Sequence, residues 1–199
     1  MKRTLIKVAT FGLVLALGVN GAVYATTQES VPTASTAKLG KHHAQPITVE
    51  DVLQAQKEWG DGIVEIGKIF TAGGDYKAAA SKFIDHYYAY GDGKVLFKPT
   101  RAAADQFRET KEGALSYFVT GIDKEDHGFA IQPWSKVRFE NSDVDIENGD
   151  AIALGNYFFT DAKTNEEVKV EFTFGYKRAK DGHLEIFLHH SSIPYQVAH

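Results

Sequence analysis

Four polar side chains capable of acid–base or hydrogen-bond chemistry stand together near the end of the sequence, in the run His189-His190-Ser191-Ser192. They follow the mostly apolar residues 184–188 and precede Pro194, which cannot continue a central strand. Side chains alternate between the two faces of a strand, so strict alternation puts His190 and Ser192 on the face of the aliphatic side chains. We therefore predict that His190 and Ser192 line a pocket where the strand leaves the core. The alternative is a packed histidine and a strand-end hydroxyl without a chemical role.

The elements that must position this strand begin with three predicted helices. Thr48 has the type of a helix N-cap, and Asp51 stands in the capping-box position. Apolar residues then recur in steps of three and four up to Phe70, which predicts one long amphipathic helix. A second helix is predicted after Asp75, and a third, shorter one over residues 111–119.

A period of two replaces the helical period from Trp134 onward and predicts four long antiparallel strands. The apolar phase slips between Phe139 and Val144, which predicts a β-bulge near residues 140–142. Asn148-Gly149 is a strong hairpin signal. Helices followed by a strand meander predict an α+β fold, in which the helices cover one face of a curved antiparallel sheet.

The first residues are typical of a secretory signal peptide. A basic start and a short apolar run are followed by Val23-Tyr24-Ala25, a small-x-small cleavage site. We predict a signal peptide over residues 1–25, a flexible tether over 26–46 and one domain over 47–199, in a periplasmic or secreted protein. Cleavage would change the net charge from −4 to −7, so we expect no nucleic-acid partner and, after cleavage, no membrane association.

The residue types argue against a standard zinc centre. The sequence has no cysteine, which excludes disulfides, thiolate ligands and thiol catalysis. The neighbours His189 and His190 point to opposite faces of a strand and cannot easily chelate one ion, whereas a zinc site needs three or four ligands. We expect no cofactor, with zinc or manganese left as open alternatives.

Several segments together resemble one family of the nuclear transport factor 2-like fold, the iota-class carbonic anhydrases. The resemblance covers residues 48–195 and rests on these stretches: Val95-Leu-Phe-Lys-Pro-Thr100, Gln106-Phe-Arg108, Glu112-Gly-Ala-Leu-Ser-Tyr-Phe118, Gly128-Phe-Ala130, Pro133-Trp-Ser-Lys-Val-Arg-Phe-Glu-Asn141 and Leu188-His-His-Ser-Ser-Ile-Pro194. The fold itself, a cone of helices on a curved sheet, is also similar to that of ketosteroid isomerases, polyketide cyclases and kinase association domains. The fold alone therefore does not select a function.

The resemblance implies reversible hydration of carbon dioxide to bicarbonate, with a pocket formed by Thr100, Tyr117, His190 and Ser192. A histidine could act as general base directly or through a water molecule. Equally, Ser192 and Tyr117 could hold the water while His190 only orients them. Such a site would work without a metal, and we expect a homodimer, with a larger assembly as an alternative.

Two other functions compete with this interpretation. One is a non-enzymatic ligand-binding or assembly module of the same fold. The other is an isomerase or cyclase, whose chemistry calls for a carboxylate base facing a tyrosine or acid donor. The strand face that carries His190 has no Asp or Glu in the last two strands, which argues against the second.

Overall fold

A computed structural model of the chain describes residues 45–197. The predicted signal peptide and residues 26–44 of the predicted tether lie outside the described residues. The elements are, in chain order, α1 (Val49–Thr71), α2 (Tyr76–Tyr87), β1 (Leu96–Lys98), α3 (Lys111–Val119), β2 (Trp134–Glu147), β3 (Asp150–Asp161), β4 (Glu167–Arg178) and β5 (Leu184–Ser192), with short 3₁₀ turns at Ala89–Gly91 and Phe129–Ile131. Within this part of the chain, no helix combines the length and apolar character that a membrane span requires.

The helix starts confirm the predicted caps. Thr48 and Asp51 form a reciprocal capping box, in which each side chain accepts a hydrogen bond from the other's backbone N–H. Asp75 caps α2 through the backbone N–H of Ala78. Thr110 caps α3 through Gly113, which gives this threonine a structural task separate from that of Thr100. Local sequence chemistry thus determines where each helix begins.

The five strands form one mixed sheet in the order β1-β5-β4-β3-β2, open at β1 and β2. The four long strands are antiparallel as predicted, and short β1 lies parallel to β5 at the edge. Asn148 and Gly149 both adopt positive φ angles, 53° and 90°, as a two-residue hairpin turn requires. The register of β2 slips between Asn141 and Asp143, which confirms the bulge predicted there.

Trp59 on α1 occupies the centre of the contact between helices and sheet. Its ring is 1 % exposed and packs against six other rings, those of Phe83, Phe139, Tyr157, Phe159, Phe174 and His189. Gly60 beside it permits close approach, because a Cβ atom there would lie 3.0 Å from the Cβ of Val137 on β2. This packing holds α1 against β2, and the Trp59 ring reaches Phe174 on β4 and His189 on β5. The predicted α+β architecture of helices on a sheet is confirmed, but the sheet is mixed and not wholly antiparallel, because β1 runs parallel to β5.

Candidate active site

The last strand, β5, contains an irregularity that decides which of its side chains face the helices. Tyr176 on β4 pairs with Ile186, whereas Phe174 pairs with His189. Two residue steps of β4 therefore span the same distance as three of β5, which is a β-bulge at Phe187–Leu188. Before the bulge the even-numbered residues of β5 face inward. After it, His189 and Ser191 face inward, each 2 % exposed.

Gly175 makes room for this bulge. A Cβ atom built on Gly175 would lie 2.8 Å from a ring atom of Phe187 and 2.9 Å from the Cβ of Leu188. Real Cβ atoms do not come this close to other heavy atoms, so a larger residue would force the two strands apart. The glycine and the bulge thus depend on one another.

The bulge overturns one prediction. His190 and Ser192 do not share a face with Thr100 and Tyr117, because the extra residue moves them to the outer side of the sheet. There they line a groove of about 360 Å³ together with Leu154 and Glu171. His190 is exposed, and the Ser192 hydroxyl donates to the Glu171 carboxylate over 3.0 Å. The placement of these two residues on the inner face, made by strict alternation, was wrong by one position.

Four hydroxyl groups come together on the inner side, and we call them the hydroxyl cluster: Thr100, Tyr117, Tyr157 and Ser191. Thr100 Oγ1 lies 2.8 Å from Ser191 Oγ. Burial raises the pKa of both tyrosines, and hydrogen bonding with the Thr100 hydroxyl opposes that shift in each. Ser191 acts on the pKa of Tyr157 in the same way. Because their pKa values are raised, both tyrosines keep their protons at neutral pH and remain hydrogen-bond donors.

His189 lies directly behind the hydroxyl cluster, between two tyrosines. Its Nδ1 is 2.9 Å from the Tyr88 hydroxyl and its Nε2 is 3.4 Å from the Tyr157 hydroxyl. The imidazole stacks on Phe97 at a centroid distance of 4.5 Å. Burial lowers the pKa of His189 well below its usual value, with a smaller contribution from His190. His189 is therefore a neutral imidazole at neutral pH.

Thr100 reaches the cluster because β1 runs beside β5. Lys98 is paired with His190, and its ammonium group donates to the Ser191 carbonyl over 3.2 Å. The following loop is fastened at its far end by Arg108. The backbone N–H of Arg108 donates to the Phe97 carbonyl over 2.8 Å, and its buried guanidinium group is 2.7 Å from Asp126. The carboxylate of Glu125 holds the middle of the loop by accepting from three successive backbone N–H groups.

A second cation, Arg101, stands near the hydroxyl cluster, in addition to Lys98. The guanidinium carbon of Arg101 lies 5.9 Å from the centre of the Phe129 ring, and that ring stacks on Tyr117 at 5.5 Å. The charge and backbone of Arg101 both oppose the raised pKa of Tyr117. Arg101 is exposed, so its positive charge is accessible to an anion arriving from solvent. Such a charge favours the approach of an anion.

Metal ligands do not gather anywhere in residues 45–197: these residues contain no group of three or more His, Asp or Glu side chains arranged to hold an ion. The described site therefore consists of hydroxyl groups, one neutral imidazole and two nearby cations, the ammonium group of Lys98 and the guanidinium group of Arg101. Arrangements of this kind can orient a water molecule and donate hydrogen bonds to oxygen atoms that acquire negative charge.

Comparison with known proteins identifies the family. The family model of the metal-independent carbonic anhydrases matches residues 50–193, which include every member of the hydroxyl cluster. The chain belongs to this family. A metal-independent carbonic anhydrase from Nostoc sp. (strain PCC 7120 / SAG 25.82 / UTEX 2576) is 44 % identical over 156 residues, covering 75 % of each chain.

A solved structure agrees with this result. A cyanobacterial iota-carbonic anhydrase, crystallised as a complex with bicarbonate, superimposes with a TM-score of 0.73 at 42 % identity, covering 76 % of this chain and 95 % of that one. A nuclear transport factor 2-like protein from Salmonella enterica is 8 % identical, with a TM-score of 0.46 over 75 % of this chain and 92 % of that one. The predicted fold class and the predicted carbonic anhydrase activity are confirmed. Membership of this enzyme family does not favour the non-enzymatic module.

Sequence reasoning found two of the clustered residues and missed the others. Thr100 and Tyr117 lie together as the resemblance implied, and the Thr100 hydroxyl acts on the pKa of Tyr117. Tyr157, Ser191 and His189 were missed, because strict alternation assigned the last two to the opposite face. One signal was present in the sequence: Gly175 stands alone inside the predicted strand β4, and an isolated glycine in a strand often marks a bulge.

Proposed function

We propose that this carbonic anhydrase hydrates carbon dioxide at the hydroxyl cluster, with His189 behind it. The observation that carries the proposal is the convergence of four hydroxyl groups from a loop, a helix and two strands. One of them, the Tyr157 hydroxyl, lies 3.4 Å from Nε2 of the buried, neutral His189. Thr100 and Tyr117 keep the roles that the resemblance implied. His189 and Ser191 take the roles first assigned to His190 and Ser192.

The reaction needs a water oxygen to bond to the carbon of carbon dioxide. As that bond forms, one C–O π pair moves onto an oxygen atom of carbon dioxide, and the water gives up a proton that passes to solvent buffer, leaving bicarbonate. Hydroxyl groups of the cluster can accept from the attacking water and donate to the oxygen that becomes negative. Preorganised donors of this kind are each worth roughly 10²–10³-fold in rate in acyl-transfer enzymes.

Metal independence is part of the proposal. The family carries that property in its name, and the donor set of the cluster consists of neutral hydroxyl groups, which are poor ligands for the transition metals that activate water. Positioning and hydrogen bonding would then replace the cation that lowers the pKa of bound water in metal enzymes. Arg101 would attract bicarbonate, a further charge-based contribution that needs no metal.

Neighbouring serines on opposite faces of β5 offer a matched test. We expect Ser191→Ala to lower kcat/KM for carbon dioxide about 100-fold, because it removes a member of the cluster. Ser192→Ala should stay within about twofold of the unchanged enzyme, because among residues 45–197 its hydroxyl bonds only to Glu171, on the outer face. Stopped-flow hydration assays on both variants, with metal content measured in the same samples, provide the comparison. Loss of activity in Ser192→Ala with full activity in Ser191→Ala would reverse the assignment.

We further propose that the enzyme is a homodimer joined through the outer face of the sheet. Leu154 on that face is 47 % exposed, and it borders the groove that contains His190 and Ser192. Leu154→Arg should give a monomer by light scattering. Leu53→Arg is the control, since Leu53 is 48 % exposed on α1 and far from that face. A dimer that persists in Leu154→Arg would contradict the proposed interface.

A periplasmic or secreted location is also proposed, on the signal-peptide pattern of residues 1–25. N-terminal sequencing of the protein recovered from the cell exterior or periplasm should begin at Thr26. A protein that retains Met1 in the cytoplasm would contradict this location.

A further inference from the structure

The two ring nitrogens of His189 face two tyrosine hydroxyls, and a third group determines which nitrogen carries the proton. Trp59 Nε1 lies 3.1 Å from the Tyr88 hydroxyl oxygen. An indole N–H can only donate a hydrogen bond, so Tyr88 must accept from Trp59. The Tyr88 hydroxyl has these two hydrogen-bonding partners among the described residues, Trp59 and His189 Nδ1. The direction of the first bond therefore constrains the second.

The hydroxyl hydrogen of Tyr88 has only one favourable direction. If it points toward Trp59, it meets the indole hydrogen. If it points toward His189, it meets the Nδ1 atom at a heavy-atom distance of 2.9 Å, provided that this nitrogen is unprotonated. Both Trp59 and Tyr88 are 1 % exposed, so bulk solvent does not offer a third choice. An Nδ1–H tautomer would leave the Tyr88 hydrogen buried without an acceptor, which native structures avoid.

The tautomer of His189 also determines the direction of its hydrogen bond with Tyr157, a member of the hydroxyl cluster. A neutral histidine with a bare Nδ1 carries its hydrogen on Nε2. That hydrogen points to the Tyr157 hydroxyl oxygen, 3.4 Å away. Tyr157 then accepts from His189, and its own hydrogen is free to point toward Thr100, Ser191 or a substrate oxygen. The opposite tautomer would turn the Tyr157 hydrogen back toward His189.

We infer that Trp59 is a positioning residue that fixes His189 in the Nε2–H tautomer and so makes Tyr157 a hydrogen-bond donor to the substrate. The inference rests on the proposed function of the hydroxyl cluster. It also decides between the two roles open to the histidine: the only lone pair of His189 faces Tyr88, away from the cluster, so His189 orients Tyr157 and does not take the proton of the attacking water. The groups that would contact carbon dioxide and the attacking water are the hydroxyl groups of the cluster.

Two tryptophans make a matched experiment possible, since the sequence contains only these two. Trp59→Phe keeps an aromatic ring in the core and removes the N–H group. Trp134→Phe is the control: its indole is buried too, but donates to the Phe129 carbonyl over 2.8 Å and has no hydrogen bond to the Tyr88–His189 pair. Tyr88→Phe is a second variant, which removes the connection between Trp59 and His189 directly.

The tautomer is read by ¹⁵N NMR of enzyme labelled in its histidine rings, with the His189 signals assigned by their loss in His189→Asn. We expect Nε2–H in the unchanged enzyme and in Trp134→Phe. A tautomer mixture is expected in Trp59→Phe and in Tyr88→Phe, where the Tyr88 hydrogen is free to turn or is absent. In both, kcat should fall about tenfold with little change in KM, since a preorganised donor is only partly lost.

Three results would overturn the inference. They are an Nδ1–H tautomer in the unchanged enzyme, an unaltered tautomer with full kcat in Trp59→Phe, and a mixed tautomer with full kcat. The NMR reading does not depend on whether the cluster is the site of reaction. If Ser191→Ala is fully active while the tautomer follows Trp59, the proposed site fails and the hydrogen-bond direction stands, so the two failures are distinguishable.

Discussion

The inner and outer sides of β5 carry the same pair of residue types in opposite surroundings. His189 and Ser191 are buried among aromatic rings and hydroxyl groups, whereas His190 is exposed and the Ser192 hydroxyl donates to the Glu171 carboxylate. Burial lowers the pKa of His189 and keeps its imidazole neutral, whereas the exposed His190 remains in contact with water. Residue type alone therefore does not predict which histidine and serine belong to the site. The bulge in β5 decides which pair faces inward.

The sheet contains two bulges, one in β2 and one in β5, and only the bulge in β2 could be predicted from the sequence. The bulge of β2 lies opposite Gly155, where a Cβ atom would come within 2.2 Å of the Glu140 carbonyl oxygen. The bulge of β5 lies opposite Gly175 in the same manner. In β2 the apolar phase changes visibly from Phe139 to Val144. In β5 the residues after the slip are two histidines and two serines, and a one-residue shift leaves that pattern unchanged.

Among the substitutions considered, Gly175→Ala should most strongly disturb the difference in burial between the inner and outer faces of β5. The added Cβ atom would contact Phe187 and Leu188 below 3.0 Å, so either β5 moves or the bulge is lost. We expect a loss of about 2–3 kcal/mol in the free energy of unfolding, the upper range for overpacking a core. Activity at room temperature should fall as well, because His189 and Ser191 would lose their inward orientation. Urea unfolding and the hydration assay measure the two effects.

Two controls sharpen that experiment. Gly91 is exposed, and a Cβ atom added there would have no heavy atom within 4 Å, so Gly91→Ala should be neutral or slightly stabilising. Phe187→Ala combined with Gly175→Ala removes the ring contact but retains that with Leu188, and should recover only part of the stability. If Gly175→Ala alone matches the unchanged protein in stability and activity, the bulge does not depend on the glycine.

Most of the fold was predictable because local signals and global packing agree. The helix caps, the hairpin at Asn148 and the alternation of β4 each specify an element without help from the rest of the chain. The site was only half predictable. Thr100 and Tyr117 are carried by distinctive segments, but the roles of Trp59 and Tyr88 arise from contacts between residues 29 and 101 positions apart. No spacing rule within one element reports such contacts.

A smaller effect is expected in the pH dependence of the free energy of unfolding, which tests whether burial keeps His189 neutral. The pKa of His189 is lowered in the folded protein, so below the unfolded value of about 6.5 the unfolded chain binds more protons and stability falls. This contribution is fully present above a pH of about 6.5 and is lost as the pH falls toward the folded pKa. Linkage gives a loss of about 1 kcal/mol in the free energy of unfolding between about pH 7 and pH 5.5.

Urea unfolding of the unchanged protein and of His189→Gln across about pH 5.5–7 measures this contribution. The variant lacks the buried imidazole, so its stability should vary less with pH in this window, whatever its absolute value. The carboxylates whose pKa values are lowered by their partners, such as Asp51 beside Arg178, act at lower pH and do not interfere. An equal slope in both proteins would mean that His189 becomes protonated as easily in the fold as in the unfolded chain. His189 would then be protonated as readily as a histidine in contact with water. Burial on the inner face of β5 would not change the protonation of His189.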